Sequence, residues 1–333
     1  MMLARWPGRS FLILSLALLV SPLRADDTAT VEQWLDRMAR AVETLNYRGT
    51  LVHWRGDQLD TLKIIHRSDE QGVRERLYSL NGEPREILRE GDQVRSLLAG
   101  DEPMVVQSQL TARLLPNLPL SRLRSAEQAY EMRVRGEERV AGLQTRIVEI
   151  LPRDEFRYGH RFWLEQQTGM LLRSALLDQD GRAIQQLTFV EIEMGARISD
   201  LELEPELKPE VVLETRMEQN LPAVDHGELN RASWTPPRVP EHFRLARQGQ
   251  GLAESGEVFE HLLYSDGLAS FSIYIEGGAS GYGGSRLESL GSVHVYTGSL
   301  NGRLITVVGE VPLATVQLVG RWLRMPPGAP RQR

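Results

Sequence analysis

Tyr264-Ser265-Asp266-Gly267-Leu268-Ala269-Ser270-Phe271-Ser272-Ile273-Tyr274-Ile275-Glu276 reads as the turn and second arm of a β-hairpin. Ahead of the turn, Val258, Glu260, Leu262 and Tyr264 alternate with Phe259, His261 and Leu263. Beyond it, Phe271, Ile273 and Ile275 alternate with Ser270, Ser272, Tyr274 and Glu276. A period of two marks half-buried strands. Asp266-Gly267 supplies the positive φ that a tight turn between strands needs. An antiparallel sheet follows, with Phe271, Ile273 and Ile275 on its core side.

The same pattern runs through the rest of the chain. Val31, Trp34, Leu35, Met38, Val42 and Leu45 fall on one face at helical spacing, and Thr30 with Gln33 fits a capping box. Alternating segments at 47–54, 59–66, 73–80, 86–89 and 93–98 then form a meander. Its turns are Arg55-Gly56-Asp57, Asn81-Gly82 and Glu90-Gly91-Asp92. Residues 110–123 are helical or irregular and are broken by Pro116 and Pro119. Strands resume at 130–134, 144–151, 160–165, 170–177 and 183–193. The fold class is α+β: a large antiparallel sheet, curved because a sheet this long curls, packed on helices. Residues 26–198 make this first domain.

An acidic stretch carrying Pro205 and Pro209 leads into a segment with Pro222, Pro236, Pro237 and Pro240. Residues 199–232 read as an extended linker whose clustered carboxylates face solvent. A smaller antiparallel domain, 233–324, holds the opening hairpin and a second one turned by Asn301-Gly302. It ends in a helix whose stripe is Leu313, Val316, Val319, Trp322 and Leu323. Residues 325–333 are expected to be disordered.

The N-terminus reads as an export signal. Arg5 and Arg9 precede an apolar run, 11–20, interrupted by Ser15; Ser21, Pro22 and Ala25 place cleavage after residue 25. The run is about half of the ~20 residues that span a bilayer. Loss of Arg5, Arg9 and Arg24 takes the formal charge from -6 to -9. An acidic exported protein is not a general nucleic-acid binder. The chain has no cysteine. It therefore forms no disulfide, offers no thiolate and lacks the N-terminal cysteine that lipidation of a bacterial lipoprotein requires. A soluble, non-lipidated periplasmic protein is expected.

Catalytic and metal signatures are absent from the pattern. None of the seven histidines has metal-ligand spacing, although His53 and His66 lie on adjacent predicted strands. The glycine run 277–284 lacks the Lys-Ser/Thr end of a phosphate loop, and Ser280 is not in a nucleophile elbow. No enzyme activity, cofactor or metal is expected; binding remains. Trp34, Tyr47, Leu51, Trp54, Phe162 and Phe189 belong to the helix and the large sheet. They fit either a plain core or the lining of an apolar cleft between the two, which would admit an acyl chain or an apolar peptide.

The chain resembles the MucB/RseB family. In the first domain the resemblance rests on Tyr47-Arg48-Gly49-Thr50-Leu51-Val52, Lys63-Ile64-Ile65-His66-Arg67, Val73-Arg74-Glu75-Arg76-Leu77, Leu80-Asn81-Gly82 and Pro84-Arg85-Glu86-Ile87. In the second it rests on the opening hairpin and Val307-Val308-Gly309-Glu310-Val311-Pro312. It implies a first domain similar to the half-barrel of the lipoprotein carriers LolA and LolB, and a second domain that grips a partner. The implied partner is the periplasmic domain of a membrane anti-sigma factor of the RseA/MucA type, shielded from regulated proteolysis until mislocalised lipopolysaccharide or another acylated ligand triggers release. The implied output is an envelope-stress response of the sigma-E/AlgU type. Candidate partner contacts are Tyr264, Asp266, Gly267, Ser272, Tyr274 and, in the glycine loop, Tyr282. The alternative is a periplasmic lipid or lipoprotein carrier of the LolA type. The residues leave the oligomeric state open, a homo-oligomer included.

Overall fold

The structure, a computed structural model, describes residues 29–99, 115, 126–208, 211–216, 238–252, 258–277, 284–300 and 302–323. The export segment, residues 110–123 apart from Leu115, most of the proline-rich stretch, Tyr282 and the C-terminal tail lie outside the described residues. Thr30 caps helix α1 (Val31–Thr44). Its hydroxyl accepts from the Gln33 amide at 3.3 Å, and the Gln33 side chain accepts from the Thr30 amide at 2.8 Å. Two N–H groups that the helix itself cannot satisfy are thereby paired. The apolar stripe Trp34, Leu35, Met38, Ala41 and Val42 is buried.

Eleven strands follow: β1 (Tyr47–Arg55), β2 (Gln58–Asp69), β3 (Gly72–Ser79), β4 (Arg85–Glu90), β5 (Gln93–Leu98), β6 (Tyr130–Val140), β7 (Leu143–Pro152), β8 (Gly159–Glu165), β9 (Leu171–Leu177), β10 (Ala183–Met194) and β11 (Val211–Arg216). They form one open antiparallel sheet in the order β11-β5-β4-β3-β2-β1-β10-β9-β8-β7-β6. Helix α1 touches β2, β9 and β6. In a flat sheet β2 and β6 would lie about 29 Å apart at ~4.8 Å per strand, far more than the ~10 Å width of a helix. The sheet therefore wraps around α1, as expected. One hydrophobic core joins the helix stripe to Tyr47, Leu51, Ile64, Tyr130, Val148, Phe162, Leu172 and Phe189.

Two of the three expected turns of the first meander are tight hairpin links. Gly56-Asp57 and Gly91-Asp92 each join neighbouring strands with two residues, the glycine at φ 61° and 57°. Asn81-Gly82 is not such a turn. Five residues, 80–84, separate β3 from β4, and the Asn81 side chain instead reaches the backbone of Leu59 and Thr61 on β2.

The acidic stretch is more structured than an extended linker where it is described. Asp200 opens a short helix, α2 (Asp200–Leu203), and its carboxylate takes Arg67 and Arg74, each at 2.6 Å. Glu202 binds Arg48 at 2.8 Å. The buried pair Arg76–Glu86, at 3.1 Å, also receives the amides of Glu206 and Leu207. These carboxylates meet arginines of β1–β3 instead of facing only solvent, and the chain continues into β11 on the edge of β5.

The second sheet comprises β12 (Arg244–Leu252), β13 (Val258–Ser265), β14 (Ser270–Glu276), β15 (Ser285–Leu290), β16 (Val293–Leu300) and β17 (Arg303–Gly309), in the order β12-β13-β14-β17-β16-β15. Helix α3 (Leu313–Leu323) covers one face, where Phe271, Ile273, Ile275, Ile305, Val307, Val316 and Val319 form a second core. Trp322, expected in the helix stripe, is only half-buried and lies under the Arg238 guanidinium at 5.3 Å.

Candidate partner-binding surface

The hairpin is formed by β13 and β14 in the expected alternation, but its tip is longer than a tight turn and points into the first domain. Four residues, Asp266–Ala269, link the strands, with Gly267 at φ 106°. The Asp266 Oδ1 accepts from the amides of Leu268 and Ala269 at 2.9 and 2.8 Å, so the side chain closes the turn. Its Oδ2 accepts from Arg157 Nε at 2.6 Å and from the Tyr130 hydroxyl at 3.1 Å, and both belong to the first domain. Arg157 is fully buried. Its remaining N–H groups meet the Asp154 carboxylate and the Glu241 carbonyl, and its flat face lies 4.5 Å from the Phe243 ring centroid. Burial, with the Asp266 charge beside it, pushes the Tyr130 phenol well above its ordinary range, so it stays a donor.

Further contacts seat one domain on the other. Thr315 donates to the Phe156 carbonyl at 2.8 Å. The Tyr158 hydroxyl lies 3.0 Å from His294 Nε2, whose Nδ1 is 2.6 Å from the Ser289 hydroxyl. The Ser292 hydroxyl is 2.5 Å from the Glu310 carboxylate and 3.3 Å from the Gln185 side-chain oxygen. Leu268 packs against the first core. Two expected partner contacts are corrected by this geometry. Asp266 is buried at the domain junction, with Gly267 beside it, because a carboxylate lodged against Arg157 cannot also face a partner. Tyr264 is a core residue, stacked on Phe271 at 5.4 Å, because it shares the inward face of β13 with Leu262.

The face of the second sheet opposite α3 is different. Pairing places Phe259, His261 and Leu263 of β13 beside Glu276, Tyr274 and Ser272 of β14, and these beside Leu304, Thr306 and Val308 of β17. The His261 ring stacks on Tyr274 at 4.5 Å with 4° between planes, and Phe259 meets Tyr274 edge-on at 5.7 Å. His261 Nε2 lies 2.9 Å from the Ser272 hydroxyl. Phe259 lies flat over Gly251, where a Cβ would collide with the ring. Burial, then the nearby Arg247 charge, lowers the His261 pKa and keeps the imidazole neutral. The result is a half-buried aromatic platform with Tyr274 at its centre. Ser272 is buried beneath it and acts as support.

The six expected cleft residues divide. Trp34, Tyr47, Leu51, Phe162 and Phe189 are brought together, but as core packed on α1. Trp54 stands apart near the end of β1, 37% exposed. Tyr47 stacks on His66 at 4.6 Å and meets Phe189 edge-on at 6.3 Å. His66 Nδ1 donates to the Leu45 carbonyl at 2.9 Å, and burial lowers its pKa to about 4. His53 and His66 do not face each other: His66 pairs with Tyr47, and His53 with Asp60. Among the described residues no group of three acidic or histidine side chains is placed to hold a metal, and no helix is long and apolar enough to cross a membrane. Sequence reasoning missed Arg157 and Tyr130. Arg157 sits in a run, Arg153-Asp154-Glu155-Phe156-Arg157-Tyr158, whose charges resemble those of any exposed loop.

A curved sheet packed on a helix, joined by a polar seat to a second sheet with an aromatic outer platform, defines a two-domain binding protein. Comparison with known proteins gives the family. The MucB/RseB N-terminal domain profile matches residues 30–207, and the MucB/RseB C-terminal domain profile matches residues 228–324. The sigma factor AlgU regulatory protein MucB of Pseudomonas aeruginosa is 31% identical, across 95% of this chain and 96% of that relative. The solved complex of Pseudomonas aeruginosa MucA and MucB superposes with a TM-score of 0.69 at 28% identity, covering 88% of this chain and 97% of that one. A structure of MucB superposes with a TM-score of 0.59 at 28% identity, covering 88% and 96%. The chain belongs to the MucB/RseB family.

Proposed function

We propose that this chain is a periplasmic regulator that binds the periplasmic segment of a membrane anti-sigma factor of the MucA/RseA type and shields it from regulated proteolysis. The observation that carries this reading is the likeness, over both domains, to a relative solved with MucA bound. The start of the chain agrees with export, since a basic start and an apolar run precede a small-residue cleavage region. With no cysteine, the exported protein has no site for an N-terminal lipid anchor.

The platform of Phe259, His261 and Tyr274 is the contact surface we assign to the second domain. Its rings already cover one another, so they lose little side-chain freedom on binding, and a neutral His261 adds no charge to desolvate. A partner strand or helix laying apolar side chains on Tyr274 would bury a pre-ordered aromatic surface, the composition typical of interface hot spots. Mislocalised lipopolysaccharide or another acylated ligand would act by favouring the unbound state, as differential binding requires. A plain lipid carrier leaves the second domain and its seat without a role.

The test is a cleavage assay on the cognate anti-sigma segment with its site-one protease, with and without the mature protein. Cleavage should slow several-fold at saturating protein. Equal rates would overturn the proposal.

A further inference from the structure

We propose that Arg157 and Asp266 are positioning residues: their buried pair fixes one orientation of the two domains, and that orientation is the one that holds the anti-sigma segment. This rests on the binding function proposed above and assigns it an internal control point.

Both side chains are 0% exposed and meet at 2.6 Å. Each is held from behind. Asp266 is locked by the two amides of its own turn, so it moves with β13 and β14 as one body. Arg157 is held by Asp154 and, across the junction, by the Glu241 carbonyl and the face of Phe243. Tyr130 supplies the second donor to Asp266. A small rotation of either domain would pull apart a carboxylate and a guanidinium that are both fully buried, which costs far more than separating an exposed pair, so the pair favours one geometry.

The rest of the junction is weak by the same physics. The other polar contacts seen there among the described residues include single hydrogen bonds, Tyr158 to His294, Ser292 to Gln185 and Thr315 to Phe156. Leu268 is the one second-domain side chain that packs on the first core among the described residues. Once the domains part, water can satisfy every one of these polar groups. A buried ion pair gains little over its separated, hydrated partners, yet penalises misplacement heavily. Such a junction specifies an orientation more than it glues two domains together, and interfaces of this kind permit relative motion. The whole chain superposes on MucB solved with MucA at a TM-score of 0.69 and on a further MucB structure at 0.59.

The absence of cysteine makes the test clean. Cysteines introduced at Leu59 and Leu290, 56% and 64% exposed on different sheets, carry spin labels at defined sites in the full mature chain. Inter-label distances are measured for the native chain, Asp266→Asn, Arg157→Gln and the double variant, each checked for a cooperative melt. Affinity for a synthetic periplasmic segment of the cognate anti-sigma factor is measured on the same proteins. The native chain should give one narrow distance, and the folded variants a broadened or displaced distribution. If the competent orientation falls to about a tenth of the population, affinity weakens about tenfold. The double variant should be no worse than the weaker single. Asp266→Asn keeps the turn-closing oxygen; should it still unfold, Arg157→Gln lies outside the turn and decides alone. A native-like narrow distance in folded Arg157→Gln overturns the positioning role. A broadened distance with undiminished affinity overturns the link to binding. A native chain that fails to bind the segment refutes the proposed function instead, while the distances still decide the seat.

Discussion

Acidification should destabilise this protein through His66, by an amount the structure sets. The ring is 1% exposed, stacked on Tyr47, with Nδ1 committed to the Leu45 carbonyl and Nε2 without a hydrogen-bond partner among the described residues. Burial lowers its pKa from 6.5 to about 4. The folded state therefore keeps a neutral ring where the unfolded chain takes up a proton. Stability from this group is complete above the unfolded value and is lost as pH falls from 6.5 toward 4. At about pH 5 the unfolded imidazole is almost fully charged and the folded one about one-tenth charged, a difference of about 2 kcal/mol. His53, His160, His261 and His294 are lowered as well and add to the same slope. A His66→Asn variant isolates the one group, because an amide can donate to Leu45 without titrating. Urea unfolding at about pH 7.5 and about pH 5 gives each protein's loss. The native chain should lose about 2 kcal/mol more than the variant. The variant's lower absolute stability does not enter, since only the difference between the two pH values is compared. Equal losses would refute the reasoning and show that water or a rearrangement solvates the charged ring.

Two further outcomes follow from the second sheet. Tyr274→Ala should weaken binding of the anti-sigma segment at least tenfold while costing about 1–2 kcal/mol of stability, the worth of its two ring contacts. Uncovering His261 in that variant should move its NMR titration upward toward the ordinary range, and unchanged affinity in the folded variant would remove the platform from the interface. Gly309→Ala would place a Cβ 2.6 Å from the Phe271 Cβ and 2.7 Å from the Ser270 carbonyl oxygen. Because backbone must then move, urea unfolding should show a loss of about 2 kcal/mol, and a neutral result would mean that β14 and β17 part more easily than their pairing suggests.

Local pattern carried the reading of strands and helices wherever it answered to one cause. The capping box at Thr30, the two-residue turns at Gly56 and Gly91 and the inward row Phe271, Ile273 and Ile275 each depend on neighbours in sequence. What failed depended on partners far along the chain. Asn81-Gly82 resembles a tight turn until its side chain finds β2, 20 residues earlier, and the acidic stretch resembles a solvated linker until Asp200 and Glu202 find their arginines. Tyr264 and Tyr274 illustrate the limit within one hairpin. Both are tyrosines on adjacent strands, and only the register separates the core face from the platform. Asp266-Gly267 carries two signals at once, a turn and a buried charge partner, and the second is invisible without Arg157.

That dual use explains why the hairpin tip is polar. A turn that only reversed the chain could be Asn-Gly and exposed. Here Asp266 uses one oxygen to close the turn and the other to bind across the junction, so the geometry of the tip and the orientation of the domain are set by one side chain. The platform on Tyr274 is built from the same two strands, β13 and β14. If the platform is the contact surface, it and the seat share two strands and cannot move independently: a partner that reoriented the platform would strain the seat, and a first-domain ligand that displaced Arg157 would turn the platform. By linkage the two effects are equal in free energy. A regulator that must hold its partner tightly and still let go needs such a junction, polar enough to open and specific enough to close in one way.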